Sequence, residues 1–195
     1  MFNHSDSLKV GWITPFRTAT RSCGRIMSAL NFDFFVEHSI HIPDNKLDYY
    51  LVLNVKNPYH RLTSLYRLWC VHNKTEPTDF IGWLRNHLHS PNSYRYSVRQ
   101  FSIIRNLKKK PDFILKVENL SEELLKLDFI KYNFDKVKFE YENNILKNKY
   151  DNDTENKNHP ALIYTEEMAD FVYTHFESEF EYLNYDKNSW NYGTP

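Results

Sequence analysis

Glycine is scarce in this chain, with four in 195 residues. A protein so short of glycine cannot build several glycine-rich phosphate loops. The G-x-x-x-x-G-K-[ST] spacing of a nucleotide triphosphatase loop is also missing. Cysteine is scarcer still. Cys23 and Cys70 stand far apart in no C-x-x-C pair; two cysteines allow at most one bridge, and their apolar neighbours point instead to buried free thiols in a reducing compartment. Charge of one sign is lacking too, with Lys+Arg and Asp+Glu both at 25. A formal charge of zero argues against non-specific nucleic-acid binding, which needs a basic footprint, so any anion site is local. No run approaches the ~18 apolar residues of a membrane span. Residues 1–7 are polar and carry no apolar signal core. These absences lead to the expectation of a cytoplasmic protein with no membrane and no nucleic-acid partner.

Aromatic residues are plentiful, with 14 Phe, 14 Tyr and 4 Trp, enough for a sizeable core. The length suits a single domain over 1–195. Lys9 to Ile13 reads as a strand and Ser22 to Leu30 as a helix. Phe32 to Ile42 reads as a second strand, Tyr49 to Val55 as a third, and Tyr59 to His72 as the following helix. Pro77-Thr78 opens a helix through Leu88, Asp112 to Val117 is a fourth strand, and Ser121 caps a short helix. Residues 141–160 are dense in Asn, Lys, Asp and Glu and read as a solvated loop. Thr165 caps a last helix, whose Met168, Phe171, Val172, Phe176, Phe180 and Leu183 form a core-facing stripe. Strands alternating with helices imply right-handed crossovers and a three-layer α/β fold, a central, mainly parallel sheet flanked by helices. In such sheets ligands bind beyond the carboxyl ends of the strands.

Two segments lie at such ends. The first, Thr14-Pro15-Phe16-Arg17-Thr18-Ala19-Thr20-Arg21-Ser22, offers two guanidiniums, several hydroxyls and the N–H groups of a helix start. That chemistry suits a phosphate or sulfate group. The second runs from Lys56 to Tyr66, with a cation at the strand end, Pro58 near the first helical turn and Ser64 further along. It is a second anion cradle of the same type. Arg61 falls on another helix face and reads as a structural ion-pair partner.

In these segments the chain resembles the PAPS-dependent sulfotransferases, the carbohydrate-type branch above all. Arg17 to Ser22 is similar to that family's P-K-T-G-T/S-T-S loop, and Lys56 to Tyr66 to its R-D/N-P-Y-x-R-x-x-S-x-Y motif. Val117-Glu118-Asn119-Leu120 resembles the family's E-N/D-L strand end. Glu179 to Tyr185 resembles its closing D-F-E-x-x-G-Y. The four motifs occur in family order over nearly the whole chain. Among the departures from the pattern, Arg17 stands for lysine, Ala19 for glycine and Lys56 for arginine.

The resemblance implies a P-loop-like fold and transfer of a sulfuryl group from 3′-phosphoadenosine 5′-phosphosulfate (PAPS) to an acceptor hydroxyl or amine, with no metal required. It implies that Arg17, Thr18, Ala19, Thr20, Arg21 and Ser22 hold the 5′-phosphosulfate, and that Lys56 and Ser64 hold the 3′-phosphate. Arg17 would steady the charge on the leaving oxygen. The acceptor needs a base near neutral pH, and His41, then His38, are the candidates, with Glu37 in reserve. A carbohydrate or small molecule is the expected acceptor, its pocket drawn from Trp69, the Trp83 helix and residues 90–100. A nucleotide or small-molecule kinase and a non-catalytic nucleotide binder are the alternatives. The missing triphosphatase spacing, and the lack of an acidic strand end for magnesium, weigh against the kinase.

Overall fold

The computed structural model describes residues 1–34, 41–75, 79–88, 100–146 and 164–191. In chain order its elements are β1 (Phe2–Ser5), β2 (Val10–Ile13), α1 (Thr20–Ala29), β3 (Asp33–Phe34), β4 (Tyr50–Val55) and α2 (Pro58–Asn73). There follow α3 (Phe80–His87), α4 (Gln100–Arg105), β5 (Phe113–Lys116), α5 (Leu120–Leu124), α6 (Asp128–Tyr132), α7 (Phe134–Glu140) and α8 (Glu166–Leu183). The chain divides into two compact units. One is Met1–Lys56 with Ser102–Asn152, and the other is Asn57–Phe101 with Asp153–Pro195.

The first unit is built on a five-stranded sheet in the order β3-β1-β2-β4-β5. β2, β4 and β5 are parallel neighbours, whereas β1 pairs antiparallel with both β2 and β3. Four strands therefore share one direction and β1 alone runs against them. This is the mainly parallel α/β sheet that the alternation of strands and helices implies. Its core packs Cys23, Ile26 and Met27 of α1, at helical spacing, against Trp12, Val52 and Leu115 of the sheet. Leu124, Ile130 and Val137 of α5, α6 and α7 join the same cluster. The Trp12 ring meets Phe32 and Phe129 edge-on at 6.1 and 5.9 Å. Gly11 leaves room for a close approach, since a Cβ there would stand 2.7 Å from a Phe2 ring carbon.

Several expectations are corrected. Of the strand expected over Phe32 to Ile42, Asp33–Phe34 is strand and Phe32 turns into the core, while residues 35–40 lie outside the described residues. Residues 1–7 read as merely polar, yet β1 pairs along its length from Phe2↔Ile13 to Ser5↔Val10, with Asn3, His4 and Ser5 buried. Ser121 lies inside α5 rather than capping it. Tyr141–Leu146 is a π-helical turn rather than a solvated loop. Tyr141 and Ile145, one turn apart, enter the core, and the Tyr141 hydroxyl donates to Ser121 O at 3.0 Å. The dense polar letters around that pair conceal it. Residues 147–163 lie outside the described residues.

In the second unit α3 is capped by Asp79, which accepts from Gly82 N at 2.7 Å. Pro77 and Thr78, expected to open this helix, lie outside the described residues. The Thr165 hydroxyl accepts from Met168 N at 3.2 Å and caps α8. Val172, Phe176, Phe180 and Leu183 are buried as their spacing implies. The Tyr59 ring of α2 packs on Phe180 at 4.8 Å, and its hydroxyl donates to Lys187 O at 2.7 Å. α8 ends on Asn184 in the left-handed region, φ 52, with Tyr185 N bonding back to Phe180 O at 2.9 Å. This C-terminal turn favours glycine or asparagine, which accounts for Asn184 where the resembled motif carries glycine. Among the described residues no helix is long and apolar enough to cross a membrane.

Candidate active site

The segment after β2 forms a tight turn closed from within. Thr18 N and Thr18 Oγ1 both donate to Pro15 O, at 3.3 and 2.6 Å, and Thr20 Oγ1 donates to the same carbonyl at 3.2 Å. Thr18 is fully buried. Its hydroxyl therefore helps to close the turn. Arg17 and Ala19, on either side of it, both adopt the left-handed backbone, with φ 66 and φ 57. An L-residue in that region costs roughly 1–2 kcal/mol. This explains why the resembled motif has glycine at the place of Ala19: the demand is on the dihedral angles, not only on room.

α1 begins directly from this turn. Ala19 is its N-cap, with no side-chain bond to the first turn and no acidic residue there. The first intrahelical bond runs from Cys23 N to Ala19 O at 2.9 Å, so the N–H groups of Thr20, Arg21 and Ser22 precede the helical ladder. Those donors and the positive end of the helix dipole favour an anion. Arg17 and Ser22 are half-buried and Arg21 is exposed. An anionic phosphosulfate fits such a donor set, since nothing in the first turn opposes it electrostatically.

The turn is tied to the neighbouring strand by residues that a reading by motif passes over. Asn54, in β4, is fully buried. Its Nδ2 donates to Thr18 O at 2.8 Å and to Cys23 Sγ at 3.1 Å, and its Oδ1 accepts from Trp12 Nε1 at 2.7 Å. Burial pushes the Cys23 thiol up to about 12, with the Asn54 bond opposing, so this sulfur is no nucleophile near neutral pH. The only sequence signal for Asn54 is an amide inside an otherwise apolar strand.

Lys56 follows β4 at the carboxyl edge of the same sheet. β2 and β4 are in parallel register, Ile13 opposite Leu53, so the Pro15 turn and Lys56 leave the sheet at one edge. Lys56 ends the first segment of the first unit and is half-buried. In the second unit Asn57 caps α2 by accepting from Tyr59 N at 3.0 Å, its Nδ2 donates to Ser189 Oγ at 2.7 Å, and Ser64 is half-buried on the same helix. Arg61 is buried there and belongs to an internal polar group with Glu179 and Gln100. Burial pulls its guanidinium down to about 10, opposed by the Glu179 charge, and Gln100 Nε2 donates to Glu179 Oε1 at 2.9 Å. This matches the structural role expected of Arg61.

The structure does not bring His41 to the Arg17 turn. His41 is exposed and precedes the 3₁₀ turn Asp44–Lys46. The Asp44 carboxyl is held low by its bond to Lys108, at 2.5 Å, and then by the His41 charge. Lys109, next along, donates to Tyr49 O just ahead of β4. His41 therefore stands at the amino edge of the sheet. A six-residue strand separates that edge from the Arg17 turn by about 20 Å. His38 and Glu37 lie outside the described residues. Of the expected acceptor-pocket residues, Trp83 is buried and Trp69 half-buried, with the Trp69 ring edge-on to His87 at 5.9 Å. Gln100 is buried, and residues 90–99 lie outside the described residues.

No curated protein and no solved structure matches the chain. A family model described as the sulfotransferase family matches residues 16–186, from the turn after β2 to the end of the resembled closing motif. With an anion-favouring turn at the carboxyl edge of a mainly parallel sheet and a match over most of its length, the chain belongs to the sulfotransferase family and is an enzyme that transfers sulfuryl groups.

Proposed function

We propose that the sulfuryl donor is 3′-phosphoadenosine 5′-phosphosulfate and that the acceptor is a hydroxyl of a carbohydrate. The observation that carries the donor reading is the start of α1: an N-cap without a side-chain bond, no acid in the first turn, and Arg17 and Arg21 on either side. The donor, when bound, supplies an activated sulfuryl group. The first-turn N–H groups and Arg21 bind its 5′ end, and Arg17 compensates the charge that develops on the leaving oxygen. Thr18 and Thr20 hold the turn in shape from behind. Lys56 and Ser64 bind the 3′-phosphate, as their spacing in the resembled motif suggests. The acceptor oxygen bonds to sulfur as the sulfur–oxygen bond to the 5′-phosphate breaks, and the acceptor proton passes to a base. For the acceptor pocket, half-buried Trp69 replaces buried Trp83 as the aromatic we favour.

Ligand-linked stability tests the donor. At 100 times its dissociation constant a ligand stabilises the folded state by about 2.7 kcal/mol. A clear rise in Tm with 3′,5′-bisphosphoadenosine is expected, a smaller one with ATP, and a reduced one in Lys56→Ala. No rise with the bisphosphate in the unmodified protein refutes this donor.

For the base we assign His38 ahead of His41, because His41 stands beside Asp44 at the amino edge. Losing a general base costs about 10²–10⁴ in rate. His38→Ala is expected to lose that much in kcat with bisphosphate affinity kept, and His41→Ala to stay near the unmodified rate. The reverse order of losses returns the role to His41.

A further inference from the structure

We propose that Asn54 is a positioning residue of the transfer reaction: it aims the N–H of Ala19 at the donor and couples the Arg17 turn to the strand that ends in Lys56. This rests on the reading of Arg17 to Ser22 as the donor turn. Packing alone does not call for an amide at this position. Its neighbours Leu53 and Val55 are apolar and buried, the strand ladder is made by backbone groups, and a buried amide is costly unless its polar atoms are satisfied. Asn54 satisfies them with three partners that lie far away in sequence: the Trp12 indole, the Thr18 carbonyl and the Cys23 sulfur.

The Thr18 carbonyl is the informative partner. It lies between Arg17 and Ala19, the two residues in the left-handed region. Across a trans peptide the C=O and the following N–H point in opposite directions. Drawing Thr18 O inward to Asn54 Nδ2 at 2.8 Å therefore turns Ala19 N–H away from Asn54, on the side where α1 presents its first-turn donors. The same bond steadies Ala19 in a conformation that an alanine resists. Because Lys56 lies two residues beyond Asn54 on the same chain, a shift of this side chain changes the spacing between the Arg17 turn and Lys56. Preorganised placement of this kind is worth about 100-fold in rate for a displacement of ~1 Å.

Asn54→Asp keeps the shape and removes both donors. In the folded fraction, well below Tm, it is expected to weaken 3′,5′-bisphosphoadenosine binding about tenfold or more while leaving the acceptor KM unchanged. A merely structural role would lower the active fraction and leave the dissociation constant alone. The variant also carries its own rescue. Once protonated, the introduced carboxyl regains one O–H donor for Thr18 O, so the variant's affinity relative to the unmodified protein is expected to recover as pH falls from about 8 to 6. Cys23→Ala removes the sulfur but keeps the Thr18 bond, and is expected to bind the nucleotide normally despite reduced stability. Unchanged affinity in Asn54→Asp, or an equal loss in Cys23→Ala, overturns the proposal. Should Asn54→Asp fail to fold, hydrogen exchange in the unmodified protein decides the matter. The bisphosphate should slow exchange of the Ala19 amide, and an amide unaffected by bound nucleotide overturns the aim assigned to it. If the unmodified protein binds no bisphosphate at all, the donor reading fails instead, and the two failures are distinct.

Discussion

Arg17→Ala is expected to lower kcat by about 10²–10³-fold, the loss seen when one preorganised donor is removed from a developing oxyanion. The proposed reason lies in where the charge appears. Transfer of a sulfuryl group leaves a phosphate oxygen with more negative charge in the transition state than in the bound donor, so a fixed cation there acts mainly on the rate. Nucleotide affinity should fall much less than kcat. Folding should be nearly unaffected, since Arg17 is half-buried, and alanine and arginine meet the same left-handed backbone demand at φ 66. Arg17→Lys is the instructive partner, because the resembled loop carries lysine at this place. A lysine keeps the charge but not the planar fork, so most of the rate should return. Steady-state kinetics with single-turnover measurement separates these effects. A kcat for Arg17→Ala within about threefold of the unmodified enzyme, a change under ~1 kcal/mol in barrier, removes Arg17 from the role.

How far the letters reveal the site depends on the range of the interactions. The β2–turn–α1 and β4–α2 arrangements are local, so the apolar runs, Pro58 and the cations are enough to locate both segments. The left-handed angle at Ala19 is legible only against the glycine of the resembled loop, since alanine carries no mark of its own conformation. Asn54 depends on partners 42, 36 and 31 residues away, and no local pattern reports such a triad. β1 escapes a sequence reading for a related reason. Asn3, His4 and Ser5 look like surface residues, and only pairing between β2 and β3 makes a buried strand of them. His41 poses the opposite case. Its chemistry suits the role, but the chain between α1 and β4 delivers it to the amino edge, and sequence distance carries no information about which edge a loop residue reaches.

The second large effect concerns stability rather than chemistry. Arg61 and Glu179 are both almost wholly buried, at 1% and 2% exposure, and a buried charge without its counterpart is costly. Burial already pulls the Arg61 guanidinium down to about 10 against the opposing Glu179 charge, yet it remains a cation near neutral pH. Arg61→Leu would keep the Glu179 carboxylate, which accepts from Gln100, buried without this cation to balance it. Glu179→Leu would leave a buried guanidinium. Breaking such a pair from either side costs about 3–5 kcal/mol, which for a chain of this length lowers Tm by roughly 6–20 °C. The combined Arg61→Met, Glu179→Leu variant removes both charges and fills similar volume, so it should be much more stable than either single variant. Denaturant unfolding of the four proteins measures the coupling. If the double variant is as unstable as the sum of the two singles, the charges act independently and the polar group is not an ion-pair system. If Arg61→Leu alone unfolds no more readily than the unmodified protein, Arg61 has no structural role, and its place in the resembled R-x-x-S motif must then be explained by ligand binding.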